Sequence, residues 1–238
     1  MATKQILLKE KSFDISYIIE NPECEKDIIF LHGWGSNKEL MQKSFSKYLN
    51  DFRCIYIDLP GFGKSTNEYA LNTYDYASVI DKFLLTINSD RHIIAGHSFG
   101  GKVAVLLNPK NMVLLSSAGI PVKKSFKTRF KIKTFKLLKV FGLGKLYKIF
   151  ASSDANGLSK NMYQTFKNVV NEDFTLNYKE FKNNALIFWG IRDTATPLSS
   201  GKETNELIKT SKFYECDGDH FFFMKNAEFI SQKLKELS

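Results

Sequence analysis

The chain has 238 residues, of which 43% are hydrophobic, so it is long and apolar enough for one domain of ordinary enzyme size with a substantial core. Its formal net charge of +9 comes from one segment, because residues 92–153 contain twelve Lys or Arg and no Asp or Glu, while the rest of the chain is slightly acidic. This uneven distribution, with no motif that reads bases, argues against a nucleic-acid-binding protein.

The sequence also bears on where the protein works. No apolar run is long enough to cross a membrane, and Met1–Lys9 has too short an apolar stretch for a signal peptide. Cys24, Cys54 and Cys216 are odd in number and far apart, which indicates free thiols in a reducing compartment. We therefore expect a cytoplasmic protein.

Short apolar runs typical of strands alternate along the chain with longer stretches typical of helices. The strand candidates are Gln5–Leu8, Phe13–Ile19, Ile28–Leu31, Cys54–Ile57, His92–Ala95, Met112–Leu115, Leu186–Trp189 and Phe213–Glu215. The helix candidates are Lys38–Leu49, Tyr74–Ile87 with Thr73 as N-cap, Phe99–Leu107, Gly201–Lys209 and Ala227–Leu237. The pattern predicts an α/β fold with a mostly parallel, doubly wound sheet of about eight strands, the first two forming a hairpin.

The most informative motif is the G-x-S-x-G sequence at Gly96–Gly100, which lies directly between a predicted strand and a predicted helix. A sharp strand-to-helix turn strains the central residue, and the flanking glycines remove Cβ atoms that would clash there. The hydroxyl of Ser98 is then presented at a helix N-terminus, which favours developing negative charge. Ser98 is the candidate nucleophile, and an ordinary glycine-rich turn is the alternative interpretation.

Four further loops at predicted strand ends carry motifs. They are His32-Gly33-Trp34-Gly35, Asp58-Leu59-Pro60-Gly61-Phe62-Gly63-Lys64-Ser65, Gly190-Ile191-Arg192-Asp193-Thr194-Ala195-Thr196-Pro197 and Cys216-Asp217-Gly218-Asp219-His220-Phe221. Together with the serine motif, and in this order, they resemble the α/β-hydrolase family over most of the chain. The resemblance implies a core domain of residues 1–120 and 183–238, a helical cap at residues 121–182 after the sixth strand, and no cofactor or metal.

A serine nucleophile needs a base within hydrogen-bond reach, and histidine suits that task near neutral pH. His97 adjoins Ser98 in the chain, so its side chain is expected to point away from the hydroxyl. His92 begins a strand at the opposite end of the sheet, and the resemblance gives His32 a role in bracing loops. We predict His220 as the base, because it follows the last strand on a loop that can fold over the serine, with a structural surface histidine as the alternative.

The base needs a carboxylate that fixes its tautomer. Asp193 matches the acid loop of the resembling family, and the order Ser98, Asp193, His220 is the one that this fold uses. Asp217 remains as an alternative acid, whereas Asp219 adjoins the histidine and would hardly reach its ring. The family usually has glycine where this chain has Asp219.

The resemblance assigns the oxyanion hole to the backbone N–H groups of Phe99 and Trp34. The ring of Trp34 is predicted either to line an acyl pocket or to be a simple core aromatic residue. The resemblance implies that the loop of Asp58 is structural and that its carboxylate bonds to backbone groups, with a role as a carboxylate partner in the chemistry as the alternative.

The predicted cap contains a stretch, residues 123–139, that interleaves basic with large apolar side chains. Phe126 and Phe130 fall near helical spacing, so we predict that they face the substrate while the lysines stay solvated. A second cap helix is predicted around Met162 and Phe166.

Three interpretations of these cap lysines remain open. They form a solvated face, they dock an acidic partner such as an acyl carrier protein or a substrate with carboxylate or phosphate groups, or they contact an anionic membrane surface. Membrane contact is less favoured than the other two, and nucleic acid is the least favoured partner.

The leading functional hypothesis is a serine hydrolase that cleaves a small-molecule carboxylic ester or thioester through an acyl-enzyme on Ser98. A carbon–carbon bond hydrolase of the meta-cleavage type is an alternative, although those proteins commonly have Asn at the position of His97. A carrier-protein methyl-ester esterase is a more specific form of the leading hypothesis, motivated by the cap lysines. A non-catalytic ligand-binding protein on the same scaffold is the alternative from a different class.

Overall fold

The computed structural model describes residues 1–121 and 158–237 of the chain. Its strands are β1 (Ala2–Leu8), β2 (Lys11–Glu20), β3 (Asp27–Leu31), β4 (Arg53–Ile57), β5 (Ile93–His97), β6 (Asn111–Leu115), β7 (Asn184–Gly190) and β8 (Ser211–Cys216). All eight predicted strands are present, and each is longer than the apolar run that predicted it. The hydrogen-bonded ladder of β1, for example, includes exposed residues that an apolar pattern does not reveal.

The strands form one sheet in the order β1-β2-β4-β3-β5-β6-β7-β8. β2 is antiparallel to both of its neighbours, and β3 to β8 run parallel to one another. The central strands β3, β5 and β6 are buried along their whole length, as expected for parallel strands that are covered on both faces. The carboxyl ends of the parallel strands therefore meet at one edge, where the five motif loops gather.

The helices of the described residues are α1 (Lys38–Phe45), α2 (Thr73–Thr86), α3 (Phe99–Leu106), α4 (Lys160–Val169), α5 (Thr175–Glu180), α6 (Leu198–Leu207) and α7 (Phe223–Lys235). One apolar layer places α1 and α7 on one face of the sheet, and a second layer places α2 and α3 on the other. The prediction of a doubly wound α/β fold is confirmed.

The start of α2 differs by one residue from the prediction. Asn72, not Thr73, is the N-cap: its side chain accepts a hydrogen bond from the backbone N–H of Asp75 (2.9 Å), and the Asp75 carboxylate accepts one from the N–H of Asn72 (2.9 Å). This reciprocal capping box satisfies two backbone donors at once, whereas Thr73 as N-cap would have Tyr76, which has no carboxylate, at the third helical position.

The described part of the predicted cap contains α4 and α5, so the predicted helix around Met162 and Phe166 is confirmed. α4 lies along the segment that follows the loop after β4, because the Thr165 hydroxyl accepts from the N–H of Leu71 (2.9 Å) and the Asn168 amide donates to its carbonyl (3.0 Å). Phe126 and Phe130 lie outside the described residues, and the cap boundaries stay a prediction.

Within the two described ranges, no helix is both long and apolar enough to span a lipid bilayer. Cys24, Cys54 and Cys216 are free thiols.

Candidate active site

Ser98 occupies a strained turn between β5 and α3. Its backbone angles are φ 50° and ψ −113°, a combination that non-glycine residues rarely adopt. Neighbouring main chain holds this conformation: the N–H of Ser98 donates to Leu115 (3.1 Å), and its carbonyl accepts from Gly101 (3.1 Å) and Ala118 (3.0 Å). The serine is therefore fixed by backbone bonds to the last residue of β6, to the loop after β6 and to the first turn of α3.

The glycines on either side of the serine allow close backbone contacts. A Cβ on Gly96 would overlap the carbonyl of Gly100, and a Cβ on Gly100 would overlap the carbonyl of Leu31 at the end of β3. Neither glycine has a positive φ, so their role is the absence of a side chain and not backbone freedom. This confirms the steric reason for which the motif was singled out.

Asp193 and His220 come together from the loops after β7 and β8. The Nδ1 atom of His220 lies 2.7 Å from Oδ2 of Asp193. The Asp193 carboxylate is fully buried, whereas the imidazole is 18% exposed. With the Nδ1 proton directed at the carboxylate, Nε2 of His220 is left with the lone pair that a base needs.

The environment of Asp193 keeps it ionised. Burial alone would raise its pKa, but the hydrogen bond and charge of His220 and the backbone bonds around Thr196 outweigh burial, so the pKa lies below its usual value. Oδ1 accepts from the N–H groups of Ala195 (2.8 Å) and Thr196 (2.9 Å). The carboxylate is thus oriented by its own loop before it meets the histidine.

Thr196 completes this arrangement and was missed by the sequence analysis. Its hydroxyl lies 2.9 Å from Oδ2 of Asp193, 3.3 Å from Nδ1 of His220 and 3.1 Å from the carbonyl of Ser116. Its own carbonyl accepts from the indole N–H of Trp189 (2.8 Å). A hydroxyl three residues after an acid is a common local pattern, so only the fold reveals that this one faces both groups.

The alternative acids lie elsewhere. Asp217 forms an ion pair with Arg192 on the surface, and this bond lowers the pKa of the Asp217 carboxyl. Asp219 accepts from the N–H of Phe221 (2.9 Å) and does not adopt a positive φ, whereas the preceding Gly218 has φ 144°. The departure from glycine at position 219 is therefore accommodated, because the left-handed residue of this loop is Gly218.

His32 and Asp58 brace loops, as expected. Nε2 of His32 accepts from the N–H of Leu59 (3.0 Å), which joins the loops after β3 and β4. The Asp58 carboxylate is buried and accepts from the backbone N–H groups of Lys38 (2.7 Å) and Lys64 (2.9 Å). It also forms a buried ion pair with the Lys38 ammonium (2.5 Å), so it serves the loop structure.

The two remaining histidines each bond to a main-chain carbonyl. Nε2 of His92 lies 3.1 Å from the carbonyl of Leu237, at the opposite end of the sheet from the serine. Nε2 of His97 lies 2.9 Å from the carbonyl of His220. This second bond places the backbone of the predicted base next to the residue that precedes the predicted nucleophile.

Trp34 lies in an aromatic cluster above the serine turn. Its ring centroid is 4.8 Å from that of Phe62, 5.7 Å from that of Phe99 and 5.3 Å from that of Phe166 on α4. The side chain of Trp34 is half-buried. Trp34 is therefore not a fully enclosed core residue.

A buried lysine, which sequence analysis also missed, connects α3 with the end of α4. The ammonium of Lys102 donates to the carbonyl of Val169 (2.6 Å) and pairs with the carboxylate of Glu172 (3.0 Å). Glu172 in turn accepts from the hydroxyl of Thr73. Burial lowers the pKa of Lys102, and the Glu172 charge partly offsets that effect.

Comparison with known proteins agrees with the observed fold. A profile of the α/β hydrolase fold matches residues 27–120. An AB hydrolase superfamily protein, YisY, from Bacillus subtilis (strain 168) is 24% identical over 94% of this chain and 96% of its own length. A thermophilic esterase from Thermogutta terrifontis superposes with a TM-score of 0.74 at 15% identity, over 99% of this chain and 97% of the esterase.

A shorter match is higher in identity. A pimeloyl-[acyl-carrier protein] methyl ester esterase from Pectobacterium carotovorum subsp. carotovorum (strain PC1) is 36% identical over 78 residues, or 33% of this chain. That match spans 29% of the esterase, well under half of its length.

Proposed function

The chain belongs to the α/β-hydrolase family, and from that premise we propose that it is a serine hydrolase acting on a carboxylic ester or thioester. The observation that carries the proposal is the joint position of three groups. They are a serine on a strained turn, the buried carboxylate of Asp193, and the partly exposed His220, whose main-chain carbonyl accepts a hydrogen bond from the residue beside that serine.

In the proposed reaction, Ser98 Oγ attacks the substrate carbonyl carbon while Nε2 of His220 takes the hydroxyl proton. The tetrahedral intermediate expels the alcohol or thiol, which receives that proton from His220, and an acyl-enzyme remains. Water then gives a proton to His220 and attacks the acyl carbon. The bond between that carbon and Oγ breaks, Oγ takes the proton back from His220, and the acid leaves. Asp193 holds the imidazole tautomer and stabilises the imidazolium throughout.

The backbone N–H groups of Phe99 and Trp34 are the proposed oxyanion donors. Phe99 is the first residue of α3, where N–H groups have no partner within the helix. The helix dipole adds to the stabilisation of a developing negative charge there. Removing one such donor typically costs about 100- to 1000-fold in turnover.

The proposed acyl pocket lies under the cap, residues 121–182. Its described wall is aromatic, since the ring of Trp34 packs edge to face against Phe62 and at a tilt against Phe166. We assign Phe126 and Phe130 to the same pocket from their sequence spacing. An apolar acyl group fits such a wall, and a small-molecule ester with that group is the proposed substrate.

Labelling with a fluorophosphonate probe tests the proposal, because the probe reacts only with an activated serine. The full-length chain is expected to be labelled, Ser98→Ala is expected to lose all labelling, and Ser78→Ala, at an exposed position of α2, is expected to keep it. An unlabelled wild-type chain would favour the ligand-binding protein and remove the enzyme proposal.

A carrier-protein methyl-ester esterase is the second candidate, favoured by the 36% identity to the pimeloyl-carrier esterase and by the basic cap segment. Replacing Lys123, Lys124 and Lys127 together by alanine should leave turnover of p-nitrophenyl acetate nearly unchanged and reduce turnover of a carrier-linked methyl ester. Equal loss on both substrates would rule out docking of an acidic carrier.

A panel of p-nitrophenyl esters of increasing acyl length, with a dienoate ketone beside them, separates the ester hydrolase from a carbon–carbon bond hydrolase. Preference for the ketone would replace the ester proposal while keeping the same three groups.

With its three free thiols, the protein is proposed to work in the cytoplasm.

A further inference from the structure

The imidazole of His97 packs against the proposed base, against Phe223 and against the predicted oxyanion loop. The ring of His97 is 1% exposed and lies at the end of β5, immediately before the nucleophile. Its centroid is 4.7 Å from that of His220 and 4.8 Å from that of Phe223. Its Nδ1 is 2.9 Å from where a Cβ on Gly33, in the predicted oxyanion loop, would stand.

The hydrogen bonds of His97 define its tautomer. Nε2 lies 2.9 Å from the carbonyl oxygen of His220, and because a carbonyl can only accept, Nε2 carries the proton. Nδ1 then holds a lone pair, and within the described residues it has no hydrogen-bond partner. The single N–H of the ring is therefore donated to the backbone carbonyl of the proposed base.

His97 stays neutral in this position. Burial first, and then the nearby charge of His220, lowers its pKa to about 3. The other ionisable groups that act on it are Asp193 and His32. A permanently neutral ring keeps the same donor in place while the base beside it gains and loses a proton.

Besides its bond to Asp193, the loop of His220 is held by the buried ring of Phe222 and by the Asn226 amide, which donates to the carbonyl of Asp217 (2.9 Å). The N–H of Arg192 donates to the carbonyl of Gly218 (2.9 Å), and the absent side chain of Gly190 lets the Asp219 backbone approach. Both contacts fix the loop to β7, whereas the His97 bond fixes it to β5. His97 and Ser98 are consecutive in the chain. The bond from the rigid His97 ring to the His220 carbonyl therefore links the backbone of the proposed base directly to that of the proposed nucleophile.

We infer that His97 is a positioning residue: its Nε2–H holds the main chain of His220 at the height over Ser98 that proton transfer requires. The inference rests on the proposed function and deepens it. It predicts that the N–H matters, and not merely the volume of the ring.

The test compares His97→Leu, which fills space without a donor, with His97→Gln, whose amide nitrogen can stand where Nε2 does. His92→Leu is the matched control, because His92 is also buried and also bonds to a main-chain carbonyl, at the far end of the sheet. All variants are measured in the full chain. The first readout is the second-order rate constant for fluorophosphonate labelling of folded protein.

We expect His97→Leu to label at least about tenfold more slowly, because small misplacements of catalytic groups carry large rate costs. His97→Gln should recover most of the rate, and His92→Leu should lose stability without losing labelling. A wild-type rate in His97→Leu overturns the inference, as does a glutamine variant as slow as the leucine variant. If His97→Leu does not fold, His97→Asn replaces it, since its shorter amide does not reach the carbonyl; equal rates for Asn and Gln then overturn the inference.

A second readout does not depend on activity. The low-field NMR resonance of the proton between His220 Nδ1 and Asp193 should persist in His97→Gln and shift or disappear in His97→Leu. An unchanged resonance in His97→Leu overturns the inference. If wild-type protein is not labelled at all, the hydrolase proposal fails, while this resonance still decides the role of His97.

Discussion

The serine turn and the acid–base pair are held in place by different means. Around Ser98 three hydrogen bonds join backbone atoms and a longer one comes from the Ser117 hydroxyl (3.4 Å), while Gly96 and Gly100 contribute by having no side chain. Around Asp193 and His220 the contacts are hydrogen bonds of side chains, and one of the two groups is partly exposed. Substitutions in the turn should therefore affect folding, and substitutions in the pair should affect chemistry in a protein that still folds.

Replacing the acid should have the largest effect on the reaction. Asp193→Asn keeps the shape of the loop but no longer stabilises the tautomer and the imidazolium, so kcat for a p-nitrophenyl ester should fall about 10⁴-fold. Asp217→Asn is the control, and its kcat should be close to that of wild type. The reverse result would show that Asp217 is the acid and would contradict the role proposed for the Asp193–His220 pair.

A methyl group in the serine turn should act on stability instead. Gly100→Ala places a Cβ against the carbonyl of Leu31, so the free energy of unfolding should fall by about 3 kcal/mol or more, measured by urea denaturation. Gly35→Ala is the control, because Gly35 has φ 72° with open space around it and should cost only about 1–2 kcal/mol. Similar losses in both variants would show that backbone strain, and not close contact, governs the turn.

Thr196→Val should have a smaller effect, confined to the chemistry. The variant removes the hydroxyl near both members of the pair, and loss of one such bond is expected to lower kcat about tenfold with KM unchanged. Thr204→Val removes a buried hydroxyl that bonds only within α6, so it should change the midpoint of thermal unfolding and not kcat. A stable, fully active Thr196→Val would mean that the loop backbone alone orients the acid.

The weakest expected effect appears only in acid. Because the folded-state pKa of Asp193 is below its usual value, ionised Asp193 stabilises the fold above pH 3.8, and that contribution is lost as the pH falls through the folded-state pKa. The difference in unfolding free energy between wild type and Asp193→Asn should therefore shrink below pH 3.8. A difference that stays constant down to pH 2 would contradict a lowered pKa.

The sequence predicted the fold well because its signals are local. Short apolar runs, most of them continuous, identified every strand, and the turn motifs identified the loops at the carboxyl edge. Helix starts were less accurate: α6 begins at Leu198 and α7 at Phe223, earlier than the predicted Gly201 and Ala227. Neither helix has a side-chain N-cap bond, so the signal that marks a helix start is absent from both.

The candidate site was predicted less completely, because several of its contacts join residues that are far apart in the sequence. Motifs could propose Ser98, Asp193 and His220, whose geometry is now described and whose roles remain proposals. The contacts of Thr196 with the pair and of His97 with the His220 backbone depend on how β5, β7 and β8 align in the sheet. No local pattern encodes a hydrogen bond between residues 97 and 220.

The buried ammonium of Lys102 has a consequence for how this protein can change over evolutionary time. It is shared by the helix that presents the serine and by the segment that ends α4, so neither can be exchanged alone without leaving an unpaired charge inside the protein. Homologous chains that lose the lysine at position 102 should also lose the acid at position 172. A cap transplanted from a distant homologue should be tolerated only when it supplies a carboxylate that pairs with that lysine.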